Sequence, residues 1–149
     1  MKKVVITSGY FNPLHIGHIN LISVAKKLGD ILVVIVNNDE QVKLKGSVSF
    51  MPEKERLEIM GALKYVDEVF LSIDTDTEWQ HNTLNFLAKK YKGNEIIFAK
   101  GGDRNFDNLP ESEKKVCQEF DIKVVNKVGG AKVQSSSWLL DRSSKQNLN

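Results

Sequence analysis

The sequence lacks the features that mark secreted or membrane-spanning proteins. It contains a single cysteine, Cys117, so no disulfide can form within the chain and an oxidising compartment is not implied. Its longest aliphatic run, 31–36, has the length of one buried strand and is too short to cross a membrane. The apolar residues near the N-terminus give way to Thr7-Ser8-Gly9, too early for the core of a secretory signal. We therefore expect a cytoplasmic protein with no membrane partner.

The sequence also lacks an excess of charge of one sign. Twenty-one Lys and Arg residues face 19 Asp and Glu residues, which leaves a formal net charge of +2 at pH 7. Because nucleic-acid-binding domains typically carry a strongly basic stripe, we expect no nucleic-acid partner. With 149 residues, the chain has the length of one domain whose core needs no metal or disulfide.

Strand and helix patterns alternate along the chain. Short β-branched and apolar runs predict five strands, at 4–6, 31–36, 68–73, 96–99 and 122–125. Helical periodicity follows each strand. We expect the first helix to close at Gly29, the helix after the third strand to be capped by Asp76 or Thr77, and the last helix to end near Leu140.

Such alternation predicts an α/β fold: a Rossmann-like, doubly wound parallel sheet of five strands with helices on both faces. We expect one domain over residues 1–142 and a polar, frayed tail over 143–149. In sheets of this kind, ligands bind beyond the carboxyl ends of the strands where the strand order reverses. The loops after the first and fourth strands are therefore the places to search for a site.

The loop after the first strand, Gly9 to His18, carries an anion-binding pattern. It contains neither the Gly-x-Gly-x-x-Gly dinucleotide motif nor a Walker-type phosphate loop. Instead, His15 and His18 lie three residues apart at the predicted start of a helix, so both rings can face one anion. The helix dipole and its free amides favour phosphate there, and Gly17 lets a phosphate approach the backbone.

Each of these residues also has a plainer interpretation. His15 and His18 could be surface polar residues or half of a zinc site, for which only His81 and Cys117 remain as distinctive further ligands. Gly101-Gly102 could be a tight turn, and Lys45 could be part of a solvated face. Ser135 to Ser137 could be only a helix cap. Arg56 could be either a phosphate ligand or a partner of Glu53.

Taken in order, the motifs of the chain resemble one enzyme superfamily. His15-Ile16-Gly17-His18 is similar to the His-x-Gly-His signature of the nucleotidyltransferases that include cytidylyltransferases and small adenylyltransferases. Further motifs match the family in order from Val4 to Leu140: Asn37-Asn38-Asp39, Leu44-Lys45-Gly46, Pro52 with Glu55-Arg56, Val66-Asp67-Glu68-Val69, Lys100-Gly101-Gly102-Asp103 and Ser135-Ser136-Ser137. The Lys100 to Asp103 loop looks most like the heptose-1-phosphate adenylyltransferase branch, with the glycerol-3-phosphate cytidylyltransferases next.

The resemblance implies transfer of a nucleoside monophosphate from an NTP, ATP rather than CTP, to a phosphorylated sugar or polyol, with release of pyrophosphate. Mg²⁺ would accompany the NTP without a dedicated protein site, and the chain would form a homodimer. The implied catalytic residues are His15, His18 and Lys45. The implied nucleotide-binding residues are Gly9, Tyr10, Phe11, Gly17, Asp39, Lys100, Gly101, Ser135, Ser136 and Ser137, and the implied acceptor-binding residues are Gly102, Asp103 and Arg104.

The implied chemistry suits the residues, because a phosphate nucleophile is already anionic near neutral pH and requires no general base. The site must instead gather two polyanions and stabilise the developing charge. Two alternatives stay open. One is a glycerol-3-phosphate-type cytidylyltransferase that uses CTP. The other is a nucleotide-binding regulatory module without turnover, which would have less need of His15, His18 and Lys45 together.

Overall fold

Strands and helices alternate in the computed structural model, which describes residues 1–102, 104–130 and 135–146, without the side chains of 137, 145 and 146. The strands are β1 (Lys3–Gly9), β2 (Ile31–Val36), β3 (Glu68–Leu71), β4 (Glu95–Ala99) and β5 (Lys123–Val125). The helices are α1 (Ile16–Lys27), α2 (Asp39–Leu44), α3 (Glu53–Gly61), α4 (His81–Lys90), α5 (Glu111–Glu119) and α6 (Ser136–Gln146), with a short 3₁₀ helix at Phe106–Asn108.

The strands form one sheet in the order β3-β2-β1-β4-β5, and every neighbouring pair is parallel. Central β1 lies between β2 and β4, with Val5 opposite Leu32 on one side and Ile97 on the other. The predicted five-stranded, Rossmann-like sheet is confirmed. Because the chain order reverses between β1 and β4, the loops that follow these two strands meet at the carboxyl edge of the sheet.

Each face of the sheet is covered by helices, as the continuous apolar strands predicted. On one face, Val4 and Ile6 of β1 pack with buried residues of α4 and α5, including Leu84 and Val116. On the other face, Val5 packs with buried residues of α1 and α3: Ile22, Ala25 and Met60. No helix in the described part of the chain is both long enough and apolar enough to cross a membrane.

The helix after β3 begins later than predicted, at His81 rather than at a cap on Asp76 or Thr77. The reason is a tertiary contact. The buried carboxylate of Asp74 accepts hydrogen bonds from the backbone N–H groups of Asn82 and Thr83, at 3.0 Å each, and thereby satisfies the free amides of the first turn. The segment that precedes α4 is held by hydrogen bonds of its own, since the carbonyl oxygens of Thr77 and Trp79 accept from the Gln41 side-chain amide at 3.1 and 2.9 Å.

Other boundaries shift for local reasons. The first helix ends at Lys27 with Leu28 as its C-cap, and Gly29 is needed because a Cβ there would lie 2.8 Å from the carbonyl oxygen of Lys3. Helix α2 was missed, although Asn38 and Gln41 form a capping box that marks its start. The last helix continues to Gln146, past the predicted end at Leu140. The division between domain and tail at 142 stays a prediction.

Candidate active site

The loops that follow β1 and β4 border a cavity of about 700 Å³. Its lining also includes the start of α1, the end of α2 and the start of α6. It brings together most of the residues singled out by the sequence: Tyr10, Phe11, His15, Gly17, His18, Lys45, Gly101, Gly102, Ser135 and Ser136. The structure thus brings these residues together from segments far apart in the chain, and their binding of a nucleotide stays a prediction.

The two histidines stack on each other at the start of α1. Their ring centroids are 3.8 Å apart and their planes are inclined by 24°. Each Nδ1 accepts a backbone hydrogen bond: His15 from Gly17 N–H at 3.0 Å, and His18 from His15 N–H at 3.2 Å. The two residues therefore form a reciprocal capping box for the helix, made with imidazoles instead of the usual hydroxyl and carboxylate.

This capping geometry determines which ring nitrogen carries the proton. A neutral imidazole has one donor and one acceptor nitrogen, and Nδ1 is the acceptor in both rings. Nε2 must then carry the hydrogen in each ring. Both histidines line the cavity, and the Nε2–H of His18 is a donor that a phosphate oxygen could accept from. Their placement in the cavity and in the helix cap differs from that of ordinary surface residues, and their role in phosphate binding stays a prediction.

His18 is neutral at physiological pH. Burial lowers its pKa to about 3, and the neighbouring His15 and Lys45 lower it further in the same direction. The ring therefore acts as a neutral hydrogen-bond donor. The edge of Phe11 supports this ring, with centroids 4.8 Å apart in a T-shaped contact.

The lowered pKa predicts how stability depends on pH. In the unfolded chain a histidine titrates near 6.5, so between pH 6.5 and 3 the unfolded state binds a proton that folded His18 does not bind. The free energy of unfolding therefore falls as pH drops below 6.5. Between pH 7 and 5.5 we expect wild type to lose roughly 1 kcal/mol more than His18→Asn, measured by urea denaturation. Equal losses for both proteins would contradict the neutral assignment.

Lys45 supplies the positive charge at the opposite wall of the cavity. It is the C-cap residue of α2, and its Nζ lies 4.2 Å from the centroid of the Tyr10 ring. The Tyr10 hydroxyl donates to the carbonyl oxygen of Glu78 at 2.8 Å. This hydrogen bond fixes the ring between Lys45 and the segment before α4. An exposed, mobile lysine thereby gains a preferred position beside the cavity.

The start of α6 closes the cavity. Ser135 caps this helix by accepting a hydrogen bond from Trp138 N–H at 3.1 Å, and Ser136 donates its hydroxyl to the carbonyl oxygen of Pro13 at 2.8 Å. Ser136 therefore fastens the helix to the loop after β1, and its contact with the nucleotide stays a prediction. The side chain of Ser137 lies outside the described residues.

Sequence reasoning missed a glycine pair in the lining. Gly129 has a φ of +89°, and a Cβ there would lie 2.9 Å from the backbone nitrogen of Leu21 in α1. The loop after β5 can therefore touch α1 only with glycine at this position. Gly130 also lines the cavity, and the Gly-Gly pair after a predicted strand was the signal that could have revealed this loop.

Gly9 and Asp39 do not line this cavity. Each of them contacts another residue of the site. A Cβ at Gly9 would come within 2.7 Å of the Phe11 ring, so the glycine makes room for that ring. Asp39 accepts hydrogen bonds from the buried guanidinium of Arg56 at 2.7 Å and from Ser49 at 2.8 Å. Burial acts to raise the pKa of Asp39, but these hydrogen bonds outweigh it and hold the pKa below its usual value.

The structure corrects both predicted roles of Arg56, which were phosphate ligand and partner of Glu53. Its side chain is completely buried. It donates to the carbonyl oxygens of Met51 at 2.8 Å, Tyr10 at 2.7 Å and Asn37 at 2.6 Å. Three segments around the site are thus tied to one guanidinium, which positions the loop after β1.

Lys100 and Arg104 also lie outside the large cavity. The Lys100 side chain lines a separate, smaller cavity, and the guanidinium of Arg104 stacks on Trp79, 4.8 Å from the ring centroid. Predicted acceptor-binding Gly102 lines the large cavity instead, and Asp103 lies outside the described residues. The motif after β4 is therefore divided between two cavities, a division that its linear order does not show.

Metal-binding groups are not clustered in the part of the chain that the structure describes. Within it, no set of three or more His, Cys, Asp or Glu side chains lies close enough to hold a metal ion. His81, one suggested zinc ligand, is in the first turn of α4, and Cys117 is buried in α5. Neither lines the cavity with His15 and His18.

Comparison with known proteins finds a family model and relatives that match most of the chain. The cytidylyltransferase-like family model matches residues 6–140. An FAD synthase from Thermococcus sibiricus is 43% identical over 118 residues, which cover 76% of this chain and 74% of that protein. The FAD synthase of Pyrococcus abyssi is 38% identical over 111 residues, covering 74% of this chain and 70% of that protein.

A second group of relatives is longer than this chain. The bifunctional protein HldE of Desulfatibacillum aliphaticivorans is 34% identical over 142 residues, which cover 94% of this chain but 27% of that protein. Among solved structures, a lipopolysaccharide core biosynthesis protein from Thermoplasma volcanium superposes with a TM-score of 0.68 at 26% identity, covering 90% of this chain and all of that one. A putative nicotinate-nucleotide adenylyltransferase from Vibrio parahaemolyticus, 17% identical with a TM-score of 0.67, shares the fold over 98% of this chain and 89% of its own.

Proposed function

Since the chain belongs to the cytidylyltransferase-like family, we propose that it transfers the nucleoside monophosphate of ATP to a phosphorylated sugar or polyol and releases pyrophosphate. Nucleotidyl transfer follows from the family, whereas the nucleotide and the acceptor are the proposed parts. The observation that carries the proposal is the stacked pair of His15 and His18 in the cavity lining, with both Nδ1 atoms used as helix caps, so that the Nε2–H of His18 is presented to a ligand.

In this mechanism the acceptor phosphate attacks the α-phosphorus of the nucleotide, and the bond from that phosphorus to the leaving pyrophosphate breaks. The attacking oxygen is already anionic, so no residue has to remove a proton. His15 and His18 donate to the α-phosphate oxygens, where charge develops in the transition state. The capping bonds hold the rings in place beforehand, so little reorganisation accompanies the reaction.

Lys45 and the backbone around the cavity serve the triphosphate. Its ammonium lies beside Tyr10 at the cavity wall, where it can neutralise the departing pyrophosphate. The glycine-rich turns at Gly101, Gly102 and Gly129 let the nucleotide approach the backbone closely. Mg²⁺ would enter with the nucleotide and neutralise phosphate charge, held by phosphate oxygens and water, since the lining offers cations and amides and no carboxylate among the described residues.

Pyrophosphate release tests the proposal. Purified protein is incubated with Mg²⁺, ATP or CTP, and phosphorylated acceptors, each paired with its dephosphorylated form as the matched control. We expect pyrophosphate only when ATP and a phosphorylated acceptor are both present, because the acceptor phosphate is the nucleophile. Faster turnover with CTP would favour the cytidylyltransferase alternative. Nucleotide binding without turnover on any acceptor would favour a regulatory module and contradict the proposal.

The relatives favour a second candidate acceptor. Two FAD synthases match this chain at 43% and 38% identity over about three quarters of its length. FMN is a phosphate monoester, so its phosphate could attack the nucleotide in the same way as a sugar phosphate. FMN therefore belongs in the same assay, where its turnover is compared with that of the sugar and polyol phosphates.

A further inference from the structure

A second, smaller cavity lies next to the proposed nucleotide site. Its volume is about 170 Å³, and it shares Tyr10 with the large cavity. Its other lining residues come from the end of β1, the end of β2, the segment before α4 and the end of β4: Ser8, Gly9, Asn37, Glu78, Trp79, Gln80 and Lys100. A molecule held here would need only to pass Tyr10 to reach Lys45 and the two histidines.

The floor of this small cavity is a rigid, buried polar network. The Glu113 side chain of α5, fully buried, accepts from the backbone N–H and the side-chain amide of Gln80, at 3.1 and 2.9 Å. Gln80 in turn accepts from the Asn37 amide at 3.0 Å. Both amide residues are buried, so their remaining polar atoms are held at defined positions towards the cavity that they line.

Lys100 is the positively charged residue in the lining of the small cavity, and its ammonium group can donate more hydrogen bonds than the described residues accept. Its Nζ lies 3.5 Å from Ser8 Oγ and 4.6 Å from the centroid of the Phe98 ring. Within the described residues, Ser8 is its one hydrogen-bond partner, whereas an ammonium can donate three hydrogen bonds. Burial lowers the pKa of Lys100, an effect that the nearby Glu113 carboxylate opposes. A ligand oxygen at this point would supply the missing partners.

The chemistry of the lining indicates a neutral, hydroxylated ligand. Lys100 is balanced by Glu78 in the lining and by Glu113 beneath it, so the cavity has no excess of positive charge for a second anion. Ser8, Asn37 and Gln80 can each exchange hydrogen bonds with hydroxyl groups. The indole of Trp79, held by Arg104, adds a flat apolar wall of the kind that packs against C–H groups.

We propose that the small cavity receives the hydroxyl-bearing body of the acceptor and that Lys100 is the residue that selects it, by donating to those hydroxyls. The acceptor phosphate then lies at Tyr10, beside Lys45 and the histidines. This inference rests on the proposed function and specifies its acceptor. The cavity volume of about 170 Å³ favours a compact sugar or polyol over the tricyclic ring of FMN.

The test separates acceptor binding from nucleotide binding. ATP turnover is measured with glycerol 3-phosphate, ribose 5-phosphate, mannose 1-phosphate and FMN, and the best acceptor is carried forward. We expect Lys100→Met to raise the KM for that acceptor roughly 10-fold or more, because a charged hydrogen bond is lost, and to leave the KM for ATP nearly unchanged. Lys89→Met, which removes an exposed lysine of α4, is the matched control and leaves both values unchanged.

A second readout does not depend on activity. In a Trp138→Phe background, Trp79 is the remaining tryptophan and lines the small cavity. We expect the best sugar or polyol phosphate to change its fluorescence saturably and ATP alone to leave it unchanged, with the response weakened in Lys100→Met. Ser8→Ala, expected to weaken acceptor binding by a smaller factor, serves if Lys100→Met does not fold.

The outcomes distinguish the two proposals. FMN as the best acceptor, or an equal rise in the KM values for acceptor and ATP, overturns the assignment of Lys100. If ATP binds but no sugar or polyol phosphate is turned over or changes the Trp79 fluorescence, the assignment of Lys100 is overturned; if no other acceptor is turned over either, the proposed function is overturned with it. A failure to bind ATP overturns the proposed function itself.

Discussion

We expect the His18→Ala variant to lose about 10²–10³-fold in kcat, because it removes one preorganised donor from the point where charge develops on the α-phosphate. The His18 ring lines the nucleotide cavity, and its Nδ1 is used by His15 N–H, so its Nε2–H is the group available to a ligand. The ring is also neutral in the free protein, so its contribution is a fixed hydrogen bond. Pyrophosphate release at saturating ATP and acceptor measures the effect.

A matched variant separates the catalytic contribution from the structural one. His18→Ala also removes the acceptor for His15 N–H, and loss of such a cap costs about 0.5–2 kcal/mol of stability. In His18→Asn, the amide oxygen can replace Nδ1 as the cap while no donor replaces Nε2–H. We therefore expect His18→Asn to regain stability without regaining kcat. Retention of more than about one tenth of the wild-type kcat in both variants would show that His18 does not stabilise the transition state.

The largest effect on stability is expected at Arg56. Replacement by methionine leaves the carbonyl oxygens of Tyr10 and Asn37 and the carboxylate of Asp39 without their partner. Breaking a buried charged network by removing one member typically costs about 3–5 kcal/mol, which is a large share of the roughly 5–15 kcal/mol that stabilises a domain. Urea denaturation of Arg56→Met measures the loss.

Two further variants of helix α3 make the Arg56 result specific. Arg56→Lys keeps the charge, but a single ammonium cannot reach acceptors spread around a planar guanidinium, so we expect a substantial loss here too. Lys54→Met changes an exposed residue of the same helix and is expected to alter stability by less than about 0.5 kcal/mol. A loss below about 1 kcal/mol in Arg56→Met would show that water or a rearranged backbone replaces the guanidinium.

Arg56 and Lys100 show where sequence reasoning reached its limit. The sequence showed Arg56 as one member of a motif and offered two exposed roles for it, because burial depends on which distant carbonyl groups converge on the side chain. Lys100 belongs to a motif that the sequence treated as one nucleotide-binding unit. In the structure it lies on the same strand face as Phe98, over whose ring its ammonium rests, and this face is covered by α4 and α5. Gly101 and Gly102 instead turn towards α1 and α6.

The sequence by itself determined the alternation of strands and helices, the parallel sheet and the histidine pair at the start of α1. These features are local, since side-chain periodicity and helix capping act within a few residues. Only the tertiary structure decided the neutral state of His18, the start of α4 at His81 with its first turn bonded to Asp74, and the separation of two cavities by Tyr10. Each of these depends on burial and on contacts between segments distant in the chain, and such contacts exist only once the strands have paired and the helices have packed.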